Sequence, residues 1–101
     1  MIACCAPFQT AMLDAGKKGI AVLCKNEQGI RCFCLQARAC DADEEDRMKN
    51  MPDNRAIPKL RIVTQATIQF CPFCGTRLDD LIGRGEREFD ERAEEQRRLL
   101  L

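Results

Sequence analysis

Residues 70–75 read Phe-Cys-Pro-Phe-Cys-Gly, placing the thiols of Cys71 and Cys74 three positions apart in a segment built to turn. Pro72 presets its own φ, and Gly75 permits the positive φ that ends such a loop. A turn of this kind aims its backbone N–H groups at the sulfurs, which favours thiolates. Two thiolates so placed can share one Zn²⁺, each at about 2.3 Å. Cys71 and Cys74 are therefore read as half of a structural zinc site. A buried cysteine pair with incidental spacing is the plainer alternative.

Tetrahedral zinc needs two further ligands. The chain has eight cysteines and no histidine, so the site is all-cysteine or completed by a carboxylate. The absence of histidine also excludes the commonest general base. Cys4-Cys5 is the best remaining pair, lying far from Cys71 in sequence as the first half of a two-part site should. Cys32 and Cys34 come next because they share one face of a strand, although such pairs are more often small core residues. Cys24 and Cys40 read most simply as small buried or half-buried residues. A second zinc site built from Cys24, Cys32, Cys34 and Cys40 is conceivable, on irregular spacing. Reduced thiols are assumed throughout. The start Met1-Ile2-Ala3-Cys4-Cys5 has no basic or apolar leader character, and no apolar run approaches the roughly 18 residues of a membrane span, so a cytoplasmic protein is expected.

Several elements must position these thiols. Pro7 suits the first turn of a helix, and Phe8, Ala11, Met12 and Ala15 fall on one helical face, so a helix is predicted from Pro7 to Ala15, stopped by Gly16. Ile20–Cys24 and Ile30–Gln36 read as a β-hairpin joined through Asn26-Glu27-Gln28-Gly29. Asp41 followed by Glu44 resembles a capping box, leaving either a short helix to about Lys49 or a solvated loop. Pro52 and Pro58 bracket a loop. Strict alternation from Leu60 to Phe70 predicts a half-buried strand running into Cys71. Arg77 to Ile82 reads as one or two helical turns. From Glu86 onward, charge pairs spaced i, i+4 (Arg87 with Glu91, Glu94 with Arg98) and the stripe Phe89, Ala93, Gln96 and Leu100 predict a helix that docks only if something covers the stripe. The expected fold is α+β: a three-stranded antiparallel sheet with a short N-terminal helix, a domain over residues 1–83, and a charged helical tail over 84–101.

The early Cys4-Cys5, the hairpin, and the strand entering Cys71-Pro72-Phe73-Cys74-Gly75 together resemble the small zinc-ribbon proteins of bacteria and bacteriophages. The likeness covers residues 4–82 loosely and omits the tail, and the segment from Asp41 to Pro58 is longer than the simplest ribbons carry. The resemblance implies one Zn²⁺ per chain, held by Cys4, Cys5, Cys71 and Cys74. It also implies a small regulator or inhibitor acting on a larger host or defence machine.

Composition narrows the partner. Sixteen acidic residues balance sixteen basic ones, whereas dedicated nucleic-acid binders usually carry a basic excess. The first forty residues hold five basic and two acidic side chains, and Lys59 and Arg61 could extend a basic face, so nucleic-acid binding stays as the alternative. There is no Tyr or Trp for base stacking. A closed four-thiolate zinc folds a chain and does no chemistry, which points to a non-enzymatic module with a protein partner. Asp41, Asp43, Glu44, Glu45 and Asp46 form an acidic cluster that could meet a basic surface, and Phe89 on the tail is a second candidate contact. A dithiol redox protein is the remaining reading. It is disfavoured because Cys71-x-x-Cys74 ends in Gly75 and follows antiparallel patterning instead of opening a helix in a βαβ unit.

Overall fold

The computed structural model describes residues 3–49 and 63–100. Helix α1 (Ala6–Leu13) leads into β1 (Gly19–Glu27), β2 (Ile30–Arg38), helix α2 (Ala42–Lys49), β3 (Val63–Ile68), the short helix α3 (Leu78–Gly83), helix α4 (Glu86–Gln96) and a 3₁₀ turn at Arg97–Leu99. The sheet is antiparallel in the order β1-β2-β3. The expected α+β fold is thus present, with its N-terminal helix, three strands and C-terminal helix. The beginning of the long predicted strand, Leu60 to Ile62, and the loop between Pro52 and Pro58 lie outside the described residues.

The hairpin differs from the expected one at its turn. Both strands run two or more residues further than their apolar runs, and the connection shrinks to Gln28-Gly29. Gln28 and Gly29 have φ of 55° and 86°, the positive pair of a type I′ turn, whose twist matches that of the flanking strands. Asn26 Oδ1 accepts the N–H of Gly29 at 3.0 Å and steadies it. The first strand could lengthen because Lys25, Asn26 and Glu27, polar residues that an apolar-run criterion passes over, cross-pair with Cys32, Arg31 and Ile30.

Register assigns every strand residue to one of two faces, because directly paired residues share a face. Val22 and Cys24 of β1 lie with Phe33 and Leu35 of β2 and Ala66 and Ile68 of β3. Ala21 and Leu23 lie opposite, with Cys34 and Gln36. The first face carries the main core: Phe8 and Met12 from α1, Leu78, Leu81 and Ile82 from α3, and Phe89 and Ala93 from α4 close over Val22, Cys24 and Phe33. Phe33 sits between two edge-on rings, with centroids 5.2 Å from Phe8 and 5.1 Å from Phe89. The second face holds a smaller cluster of Ala21, Leu23 and Leu99.

Helix α4 is covered by the chain's own first strand. Its side chains Phe89 and Ala93 enter the main core, and Gln96 Oε1 accepts the N–H of Cys24 at 2.8 Å along the outer edge of β1. The 3₁₀ turn then crosses to the second face. There the Leu99 carbonyl accepts from Gln36 Nε2 at 2.9 Å and from Arg38 Nη2 at 2.8 Å. These buried polar side chains satisfy one another as well, Arg38 Nε donating to Gln36 Oε1 at 2.8 Å. The Arg87–Glu91 pair forms at 3.4 Å, whereas Glu94 turns to Arg97 at 3.9 Å and not to the expected Arg98. The cause is the change to 3₁₀ winding at Arg97, which displaces the i+4 position.

Outside the core, Arg31 ties the hairpin to α4. Its Nε and Nη2 donate to the two oxygens of Asp90 at 2.8 and 2.9 Å, and Asn26 Nδ2 adds a third bond at 2.9 Å. The guanidinium holds the Asp90 carboxyl below its ordinary value of 3.8, with Asn26 assisting. A depressed carboxylate stabilises the fold above its unfolded pKa, and the contribution fades as pH falls through the folded value. Urea midpoints of wild type and Asp90→Asn should therefore converge as pH drops below about 4 and separate above it, with wild type the more stable. A separation that persists undiminished under acid conditions would mean that the pair is not what Asp90 contributes.

Candidate metal centre

The two halves of the cysteine cluster are carried by segments rooted in the same core. Cys5 is the residue before α1, in extended conformation (φ −159°, ψ 165°), and its carbonyl accepts the first helical bond from Gln9 at 3.1 Å. Its sulfur lies 3.8 Å from that of Cys71. Three residues on, Phe8 is fully buried and fixes the start of the helix. On the other side, β3 passes into a closed knuckle. Cys71 N–H donates to the Thr76 carbonyl at 2.8 Å, Gly75 N–H to the Cys71 carbonyl at 2.9 Å, and Leu78 N–H to the Gln69 carbonyl at 2.9 Å. Gly75 has φ of 80°, where a side chain would strain the turn. Leu78 then buries itself as the first residue of α3.

The resulting geometry fits one ion. The sulfurs of Cys4, Cys5, Cys71 and Cys74 all lie within 4.8 Å of one another. Separations are 4.0 Å for Cys4–Cys5, 3.8 Å for Cys5–Cys71 and 3.4 Å for Cys4–Cys74. A regular tetrahedron of sulfurs about 2.3 Å from a central ion has edges of about 3.8 Å. All four thiols are free of disulfides. The N–H groups of Phe73 and Cys74 both reach Cys71 Sγ at 3.4 Å, the arrangement that favours a thiolate at the mouth of a turn. These four residues could hold a metal ion.

The protonation preferences within the cluster are unequal. Burial pushes the Cys4 thiol up, and hydrogen bonds to the neighbouring thiols add to the rise. Burial likewise raises Cys5, opposed by the N–H of Phe8 at the start of the helix. Cys74 is exposed, and the Thr76 hydroxyl, 3.1 Å from its sulfur, pulls it down to about 6. Crowding four sulfurs together raises the cost of ionising them all, and a bound dication reverses that cost. Thr76 is a contributor that sequence spacing does not single out. Its signal is only the hydroxyl residue directly after Cys74-Gly75.

The other cysteines do not converge on a second centre. Cys24 points into the main core, where burial pushes its thiol up to about 12. Cys34 lies on the opposite face, raised to about 11 by burial and then by Cys32. The sheet itself separates Cys24 from Cys32 and Cys34, so the conceived four-cysteine second site is not formed. Among the described residues, no other group of three or more ligating side chains comes together.

The expected partner contacts divide. Helix α2 forms, so of the two readings of this segment, short helix or solvated loop, the helix is the one present. The Asp41 carboxylate accepts the backbone N–H of Lys18, tying the helix start to the loop before β1. Asp43 and Glu44 are exposed, and Glu45 and Asp46 belong to the same helix. Phe89 is a correction. It is fully buried against Phe33, so its ring has no surface to offer a partner. The helical stripe pattern that picks it out cannot tell an outer binding face from one packed on the chain's own sheet. The exposed phenylalanines are instead Phe70 and Phe73, at 57% and 50%, flanking Cys71. No helix is long and apolar enough to cross a membrane among the described residues.

No family model, no curated protein and no solved structure matches this chain.

Proposed function

We propose that this chain is a small, non-enzymatic, cytoplasmic module, folded around one Zn²⁺ held by Cys4, Cys5, Cys71 and Cys74, that binds a protein partner. The observation that carries the metal is the convergence of four free thiols at tetrahedral spacing from two distant segments. An all-sulfur donor set suits Zn²⁺, and four protein ligands leave no open position for substrate or water. Phe70 and Phe73 support the partner reading. They are large apolar side chains left in solvent on a closed turn, where ordering them against another protein costs little entropy. The bacteriophage-like layout suggests a regulator or inhibitor of a larger machine, an expectation that rests on resemblance alone.

Nucleic-acid binding is the weaker reading. The same rings could stack on bases, and Arg77 pairs across the knuckle from Phe70, but exposed Asp79 and Asp80 follow at once. The test uses zinc-loaded full-length protein as bait in its native host. Partner recovery should fall at least about tenfold for Phe70→Ser with Phe73→Ser, at unchanged zinc content. Unchanged recovery would move the contact to α2, testable by neutralising Asp43 and Glu44. A gel shift at low salt that fades with added salt would replace the protein-partner reading with the nucleic-acid one.

A further inference from the structure

The four-cysteine second site does not form, but two of its members stay together. Cys32 and Cys34 are two apart on β2, so both project from the second face of the sheet. The Cys34 thiol lies within hydrogen-bonding reach of Cys32 and of the Thr67 hydroxyl, its register partner on β3. Lys25 is the register partner of Cys32 on β1, and its charge acts on both thiols. Glu27 anchors the Lys25 ammonium at 3.3 Å, with the lysine side chain largely buried. The site thus joins a buried thiol, Cys34, to a half-buried one, Cys32, that opens it to solvent, with a lysine beside them.

Two chemistries compete for such a pair. A disulfide suits it poorly. Two residues of strand span about 6.7 Å between Cα atoms, near the upper limit of disulfide reach and beyond the usual separation of roughly 5.5–6 Å. Cys34 cannot easily shift to close the gap, because it is paired on both sides, with Leu23 and Thr67. Two sulfurs on one ion need no such movement. The number of donors then selects the ion. The chain has no histidine and eight cysteines. Four form the cluster already described, and Cys24 lies on the opposite face of the sheet. Cys40 lies past the end of β2, which is itself roughly 13 Å of strand from Cys34. The pair therefore offers two sulfurs, with no further thiol or imidazole to join them. Zn²⁺ and iron–sulfur clusters ask for four ligands, whereas two thiolates in a line satisfy Cu(I), the remaining soft ion that thiolates select. Charge agrees, since two thiolates on a monovalent ion leave one negative charge for Lys25 to face.

We propose that Cys32 and Cys34 form a two-coordinate site for a soft monovalent ion of the Cu(I) class. On binding, both thiols release their protons to water, and the resulting anionic bis-thiolate lies against the Lys25 ammonium. The site is separate from the four-cysteine cluster, which packs with the main core on the first face. It depends neither on zinc there nor on the protein partner proposed above.

Titration of the zinc-loaded full chain with Cu(I) supplied as its bicinchoninate complex tests this, with copper and zinc per chain measured after desalting. One Cu(I) per chain should be taken up with no zinc released. Cys32→Ser, a mild change at a half-buried position, should weaken uptake at least about a hundredfold, because loss of a ligand exceeds loss of a supporting contact. Zinc content and circular dichroism should not change. Lys25→Met should weaken uptake about tenfold, as removal of a group outside the ligand shell does. Copper that displaces zinc one for one, or that Cys32→Ser leaves bound, would sit on the four-cysteine cluster and overturn the proposal. So would no uptake in competition with bicinchoninate, or a second zinc held by the pair in preference to copper. Because the readout is the copper lost on Cys32→Ser, failure of the zinc reading leaves this test intact.

Discussion

Cys71→Ser and Cys74→Ser should each yield a chain that no longer retains zinc and no longer shows the cooperative unfolding of the wild type. Structural zinc in small all-protein sites contributes on the order of 10 kcal/mol to folding, while whole domains are stable by only about 5–15 kcal/mol. Losing one thiolate of four removes a large part of that contribution, and the fold has little to replace it. The knuckle joins β3 to α3, and α3 supplies Leu78, Leu81 and Ile82 to the core. An unclosed knuckle therefore loosens the core directly. Cys71→Ser should be the more damaging of the two, because Cys71 is buried and takes two backbone N–H groups, whereas Cys74 is exposed. Cys32→Ser and Cys40→Ser should keep the metal. Elemental mass spectrometry of protein purified without added metal or a histidine tag decides the matter. One zinc per chain, lost in the two ligand variants, is expected. Two per chain would require thiols outside the cluster. None, with titratable thiols, would sink the zinc reading and bring dithiol redox chemistry forward.

Phe33→Ala should cost about 3–5 kcal/mol, as truncations of fully buried aromatic residues do. Phe33 is the ring on which three segments meet: Phe8 of α1 and Phe89 of α4 each stand edge-on to it, and it belongs to the central strand. Its removal leaves a cavity with helices on two sides and a sheet that cannot collapse into it. Edge-to-face ring pairs add about 0.5–1.5 kcal/mol each beyond their buried area. Urea unfolding of the zinc-loaded variant should show a lower midpoint while zinc content holds near one per chain. Phe73→Ala, on the exposed knuckle, should change stability by no more than about 0.5 kcal/mol. If the two variants prove equally stable, the aromatic cluster is not the core that the contacts indicate.

The local elements were legible because each has a short-range cause. Alternation marked β3, proline and an apolar face marked α1, and the spacing of Cys71 and Cys74 with Gly75 marked the knuckle. Cys4-Cys5 ranked first among the remaining thiols by its distance along the chain from Cys71, ahead of Cys32 and Cys34, and the likeness to zinc ribbons implied the same four ligands. What the residues could not tell was which side of an amphipathic element would be covered, and by what. The stripe containing Phe89 has the same period whether it meets a partner or the chain's own sheet, and only the path of α4 over β1 decided for the sheet. Cys24 and Cys34 were conceivable companions in a second centre, but strand register placed the sheet between them. Thr76 gained its role from the folding-back of the knuckle, which brings its hydroxyl to Cys74. Sequence thus determined the elements and the donor atoms, since these depend on neighbours along the chain. Tertiary structure alone decided burial, facing and edge, because each depends on contacts between residues far apart in sequence.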